Sequence, residues 1–276
     1  MSLKKTLLFL VYAALGTPLC AQSYKEYVQQ AFEALANDSL QRAEVLLKNA
    51  LKHSPAEKSN ALLFDYLGQI QERQGRVDEA LQSYTMGINL SPHTMGILLN
   101  RASLHLQQGR EEKALTDYSR VLDLQPEHRE ALFFRAYIYR KQRLNKQARA
   151  DYDALLCLDP THEQALIGLA LLNEQDNRPT EAMNLITKVV NLYPNHATPY
   201  VVRATMEQDR KQYEAARLDF DKAVELEPEN AEHYMSRGNF FVMIKEKKLA
   251  RKDLESALKL GADAHIVASL LYELSK

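Results

Sequence analysis

Prolines stand at 55, 92, 126, 160, 194 and 228, and every interval after the first is 34 residues. A fixed period of this length restricts the chain to a repeat architecture, in which each unit buries its apolar face by stacking on its neighbours. With proline as position 32, the units run 24–57, 61–94, 95–128, 129–162, 163–196, 197–230 and 231–264, and Ala262 takes the proline's place in the last. Lys58, Ser59 and Asn60 are extra residues between the first two units.

Within this frame position 20 is always alanine: Ala43, Ala80, Ala114, Ala148, Ala182, Ala216 and Ala250. Position 8 is always small (Ala31, Gly68, Ala102, Ala136, Ala170, Ala204, Gly238) and position 24 always large (Leu47, Tyr84, Tyr118, Tyr152, Ile186, Phe220, Leu254). This is the pattern of two antiparallel helices: a small residue on one admits the other, and a large residue fills the space beside it. Gly75 and Gly109, at position 15, mark the turn between the helices. The proline ends the second helix.

On these residues the chain resembles the tetratricopeptide repeat family over about residues 24 to 264. The resemblance implies an all-α fold, a right-handed α-α superhelix or solenoid of seven helix-turn-helix repeats. Ile266, Val267, Leu270, Leu271 and Leu274 form an apolar stripe at helical spacing, which predicts a capping helix over 265–275. Unit one departs from the pattern, with Gln30 and Ala34 at positions usually larger and apolar, and unit five has Asn177 at the turn and Pro179 just after it.

The N-terminus places Lys4 and Lys5 before an apolar run from Leu7 to Leu15, followed by Gly16, Pro18 and small residues near Ala21. That layout predicts a secretory signal peptide over 1–21, leaving a single solenoid over 22–276. Removing both lysines moves the formal charge from −1 to −3. The expected location is a periplasm or the cell exterior, with no integral membrane segment after cleavage. An alternative makes Cys20 the acylated residue of an outer-membrane lipoprotein, although Leu19 stands where that recognition box has a small residue. If cleavage removes Cys20, Cys157 is the only cysteine left, so no internal disulfide is expected.

Charge excludes nucleic acid as a partner, because acids and bases are interspersed and no basic stripe is present. No glycine-rich phosphate loop, HExxH, paired CxxC or nucleophile elbow occurs, so the chain is expected to be neither an enzyme nor a cofactor protein. His128, His162 and His196 recur at position 34. Consecutive repeats lie roughly 8–10 Å apart, too far to share one metal ion, and these histidines read as solvated turn residues. Cys157, late in a second helix without a neighbouring base, reads as an unreactive, partly buried thiol.

Position 23 is Asp117, Asp151, Asp219 and Asp253 in units three, four, six and seven, and the same units have Arg101, Arg135, Arg203 and Arg237 at position 7. The other three units lack both. Both positions are equidistant from the turn, so this joint occurrence predicts structural Arg–Asp pairs inside a repeat.

In the tetratricopeptide repeat family, positions 2, 5, 9, 12 and 13 of the first helices line a concave face. The resemblance therefore assigns to a groove Phe133, Tyr137, Arg140, Lys141, Ile167, Leu171, Glu174, Val201, Thr205, Met235, Asn239 and Met243, with Phe134 and Val202 beside it. A lysine and asparagine clamp for acidic tails, known in some members, is not matched: unit one has Val28 and Phe32 there, and only Asn100 in unit three looks clamp-like. The expected function is a scaffold for an extended peptide or partner protein. A holdase-type chaperone for unfolded clients and an enzyme or metal-binding protein of unrecognised chemistry are the alternatives.

Overall fold

The computed structural model describes residues 20–54 and 57–274 and the side chains from residue 23 onward, so the apolar run of the expected signal peptide and the Cys20 side chain lie outside the described residues. All regular structure among the described residues is α-helical. The first helices are α1 (Cys20–Ala36), α2 (Leu40–His53), α3 (Asn60–Arg73), α4 (Val77–Leu90), α5 (Met95–Gln107), α6 (Glu111–Leu124) and α7 (Arg129–Lys141). They are followed by α8 (Asn145–Leu158), α9 (Glu163–Gln175), α10 (Pro179–Leu192), α11 (Ala197–Asp209), α12 (Tyr213–Leu226), α13 (Ala231–Met243), α14 (Lys247–Lys259) and α15 (Ala264–Glu273). The chain is thus an all-α solenoid sequence of helix-turn-helix repeats ending in a capping helix. It divides into two compact units, Met1–Arg135 and Ala136–Lys276, at a boundary inside α7.

In the first unit α1 pairs with α2, α3 with α4 and α5 with α6. In the second, α9 pairs with α10, α11 with α12 and α13 with α14, while α15 covers α13 and α14. The physical reason for pairing is visible at three positions. The seven position-20 alanines are each 0% exposed, and the position-24 residues, from Leu47 to Leu254, are no more than 2% exposed. At Gly68 a Cβ would sit 2.5 Å from Tyr84 Cε1, so only glycine lets α3 and α4 approach as they do.

Position 15 carries positive φ in every repeat: Asp38, Gly75, Gly109, Arg143, Asn177, Lys211 and Lys245 all have φ between 54° and 74°. The left-handed residue reverses the chain, and the next amide bonds back into the preceding helix; Gln212 N, for example, donates to Glu207 O at 2.9 Å. Five of these seven residues have a side chain, which costs roughly 1–2 kcal/mol each in that conformation.

Ala31, Ala43, Leu47, Leu63, Leu67 and Ile70 form the core of the first hairpins. In the second unit Leu166, Ala182, Ile186, Val189 and Met206 form one cluster, and Phe220, Phe240, Leu254 and Val267 another. Val267 is the anchor of α15, whose N-terminus is capped by Asp263 accepting from His265 N at 2.7 Å.

Candidate functional site

The charged residues of the hairpins serve the scaffold. Arg101 donates Nε and Nη2 to the two carboxylate oxygens of Asp117, both at 2.8 Å, and Asp117 is 1% exposed. Arg203 grips Asp219 at 2.5 and 2.8 Å, and Arg237 grips Asp253 at 2.7 and 2.9 Å. The third donor reaches the preceding repeat: Arg101 Nη1 donates to Thr85 Oγ1 at 3.0 Å and Arg237 Nη1 to Asp221 at 2.8 Å. Sequence reasoning missed these second contacts, because position 25 is threonine in one repeat and aspartate in another. Asp151 is buried at the same position as the other three acids.

In the first unit, Phe133 packs edge-on against Phe134 with ring centroids 5.1 Å apart, and Phe134 stacks on Tyr118 at 5.4 Å. Phe134 is therefore half-buried packing. Asn100 is already engaged, since its Nδ2 donates to Asp65 Oδ1 at 2.8 Å while Gln69 donates to Oδ2 at 3.0 Å. Burial pushes the Asp65 carboxyl above the usual range, against the pull of both amides. An asparagine bonded in this way to an acid does not offer itself to an acidic tail.

The second unit places Tyr137, Arg140, Leu171, Glu174, Val201 and Met235 in half-buried positions and Lys141, Thr205, Asn239 and Met243 in exposed ones. The Arg140 guanidinium and the Lys141 ammonium each lie 5.7 Å from the Tyr137 ring centre, so the ring is flanked by cations. Ile167 departs from the expected groove: at 9% exposure it belongs to the core cluster with Leu166, Ala170 and Met206. Neighbouring helices close over it, and it offers little surface to a ligand. Glu174 is bonded by Arg210 of the next repeat, Val201 and Met235 lean against the cluster around Phe240, and Thr205 returns its hydroxyl to Val201 O at 2.9 Å. The accessible face is consequently more polar than its residue types suggest, with Met243, 43% exposed, as its most open apolar side chain.

The turn histidines have structural partners. His128 and His162 accept the Ala131 and Ala165 amides through Nδ1, each at 3.3 Å, and so cap α7 and α9. His196 Nδ1 lies 2.8 Å from Glu163 Oε2. These contacts, rather than water alone, account for two half-buried rings and one exposed ring. Cys157 is exposed, not partly buried, because position 29 points away from the neighbouring helices. Among the described residues no three His, Cys, Asp or Glu side chains are placed to hold one metal ion. No helix among them is long and apolar enough to cross a membrane.

A family model described as tetratricopeptide repeat matches residues 99–163, 139–197 and 203–265. The crystal structure of a tetratricopeptide repeat protein from Parabacteroides merdae is similar at 30% identity and a TM-score of 0.82, covering 92% of this chain and 100% of that one. More distant likenesses are MamA from Desulfovibrio magneticus (23% identity, 61% and 95% covered, TM-score 0.55) and yeast Tom70 (16% identity, 96% and 58% covered, TM-score 0.67). No curated protein matches. With the period, the buried position-8 and position-20 residues and these matches together, the chain belongs to the tetratricopeptide repeat family. This is a structural repeat with no catalytic motif.

Proposed function

We propose that the protein is an exported, non-enzymatic scaffold that holds an extended peptide or a partner protein on the first-helix face of its second unit. The observation that carries this reading is the division of labour among the side chains. The Arg–Asp pairs join the two helices of a hairpin and are consumed there, whereas Tyr137, with two cations near its ring, and the exposed Lys141, Thr205, Asn239 and Met243 occupy other positions of the first helices. An aromatic ring flanked by Arg and Lys, with methionine further along, supplies the kind of anchors and adaptable contacts that peptide recognition uses.

Affinity capture from the exported fraction, with wild type beside Tyr137→Ala/Met243→Ala, tests the face. One retained partner that is lost in the variant supports the scaffold reading; partners held equally by both contradict it. Suppression of aggregation of several unrelated proteins, with no single partner, favours the holdase alternative instead. The export reading rests on the lysine pair and the apolar run before Ala21. N-terminal sequencing of the mature chain checks it. A start at Gln22 supports simple cleavage, a blocked start at Cys20 supports a lipoprotein, and a start at Met1 contradicts both.

A further inference from the structure

On the second-helix side, the eleventh residue of three repeats has a polar or cationic partner. Gln71 hydrogen-bonds to Ser83 Oγ at 2.7 Å, Asn173 accepts from Arg149 Nη2 at 2.7 Å, and Phe241 lies beneath the Arg217 guanidinium at 5.8 Å. Arg149 and Arg217 both occupy position 21 of the preceding repeat. In repeat three position 11 is His105, and position 21 of the preceding repeat is Leu81, which has no donor. His105 is 8% exposed, its Nδ1 has no hydrogen-bond partner among the described residues, and a cavity of about 450 Å³ opens beside it between α4 and α6. Glu207, position 11 of repeat six behind Met183, also keeps an unpartnered Oε2, but it lines no such cavity among the described residues. Nδ1 is itself enclosed by the protein, and His105 lines the cavity through its other atoms, which is where a ligand would meet the ring.

The charges around the cavity do not cancel. Arg101 is held by Asp117, and Arg110 stands 3.5 Å from Asp78. Lys113, exposed on the cavity wall, has no acid within ion-pair distance among the described residues, so one positive charge is left over. Leu81 and Met86, the latter 45% exposed, add an apolar wall. The imidazole of His105 is held below its usual range by burial and by the charges of Arg101, Lys113 and Arg110, with Asp117 pulling the other way. A neutral ring can still donate one N–H. The volume is larger than a single inorganic ion needs and falls within the range of small-molecule sites, about 300–1,000 Å³.

We propose that this cavity binds a small organic anion, its acidic group between Lys113 and His105 and its short apolar arm against Leu81 and Met86. The site lies in the first unit and is independent of the partner-binding face. The test is NMR titration of the full chain, following the His105 imidazole signals, with butyrate and butyl phosphate as probes and butylammonium as the charge-reversed control. Saturable shifts with either anion, weakened at least about tenfold in Lys113→Glu, support the site. The anion that saturates at lower concentration identifies the acid group as carboxylate or phosphate. Lys113 is exposed, so this variant keeps the fold. The proposal is overturned by the absence of saturation with both anions, by equal binding in Lys113→Glu, or by an equal response to butylammonium.

Discussion

Arg237 presents Nε and Nη2 to the two carboxylate oxygens of Asp253, at 2.7 and 2.9 Å, in a hairpin where Asp253 is 2% exposed. The acid has traded water for this one partner, and the guanidinium stem fills a place that leucine holds in other repeats. Removing the arginine strands the buried acid, whereas the arginine without Asp253 would keep Asp221. Arg237→Leu should lower unfolding free energy by about 3 kcal/mol, and the paired replacement Arg237→Leu/Asp253→Leu should restore most of it. Urea denaturation measures both; a loss under about 1 kcal/mol would place the pair in the class of surface ion pairs.

The turn at position 15 makes an opposite prediction, a gain. Lys211 holds φ at 60°, a region that costs an L side chain roughly 1–2 kcal/mol and glycine very little. Lys211→Gly should therefore raise stability by about 0.5–1 kcal/mol, after allowance for the added freedom of the unfolded chain. Thermal unfolding should show a higher midpoint, and a lower one would mean that the lysine side chain makes a contact of comparable worth.

Glycine at position 8 has the reverse requirement. A Cβ on Gly68 would meet Tyr84 Cε1 at 2.5 Å, and Tyr84 is fully buried with its hydroxyl donating to Glu72 at 2.9 Å. Gly68→Ala should cost about 1–3 kcal/mol through displacement of that ring. Gly238→Ala is the control, since the nearest atom there is Leu254 Cδ2 at 3.1 Å, the end of a side chain that can give way. Its cost should be clearly smaller in the same denaturation experiment.

Acid sensitivity should involve Asp176, which with Glu44 and Glu227 is held below its ordinary range. Hydrogen bonds from Arg149 and Asn145 hold its carboxyl below the ordinary value of 3.8, opposed by burial. A folded-state value below the unfolded one gives stabilisation that is complete above the ordinary value and disappears as pH falls through the lower one. Arg149→Leu should thus destabilise at about pH 6, and its cost should shrink as pH is lowered toward about 3. A cost independent of pH would assign the loss to the Asn173 contact instead.

The architecture was legible because its signals repeat. Alanine at position 20 and large residues at position 24 recur seven times, and joint presence or absence of Arg and Asp singles out the units in which such a pair is feasible. Features that occur once were not legible. Five of the seven left-handed turn residues carry no glycine to announce them, and only their place in the frame marks Arg143 or Lys245. Groove exposure was also hidden, because the same apolar residue type serves packing and binding: Ile167 and Met243 look alike in the frame, yet one is enclosed by neighbouring helices and the other is open. The cavity beside His105 depends on what stands on the preceding helix, at Leu81, a relation that no local pattern reveals.

Site-specific photo-crosslinking reads directly which face meets the partner. A photoreactive side chain at exposed Asn239, on the first-helix face, is compared with one at Leu218, 71% exposed on a second helix. Both positions tolerate substitution because neither is packed. Crosslinking in living cells should capture a discrete partner from position 239 and none from position 218. Capture from position 218 alone would contradict the account.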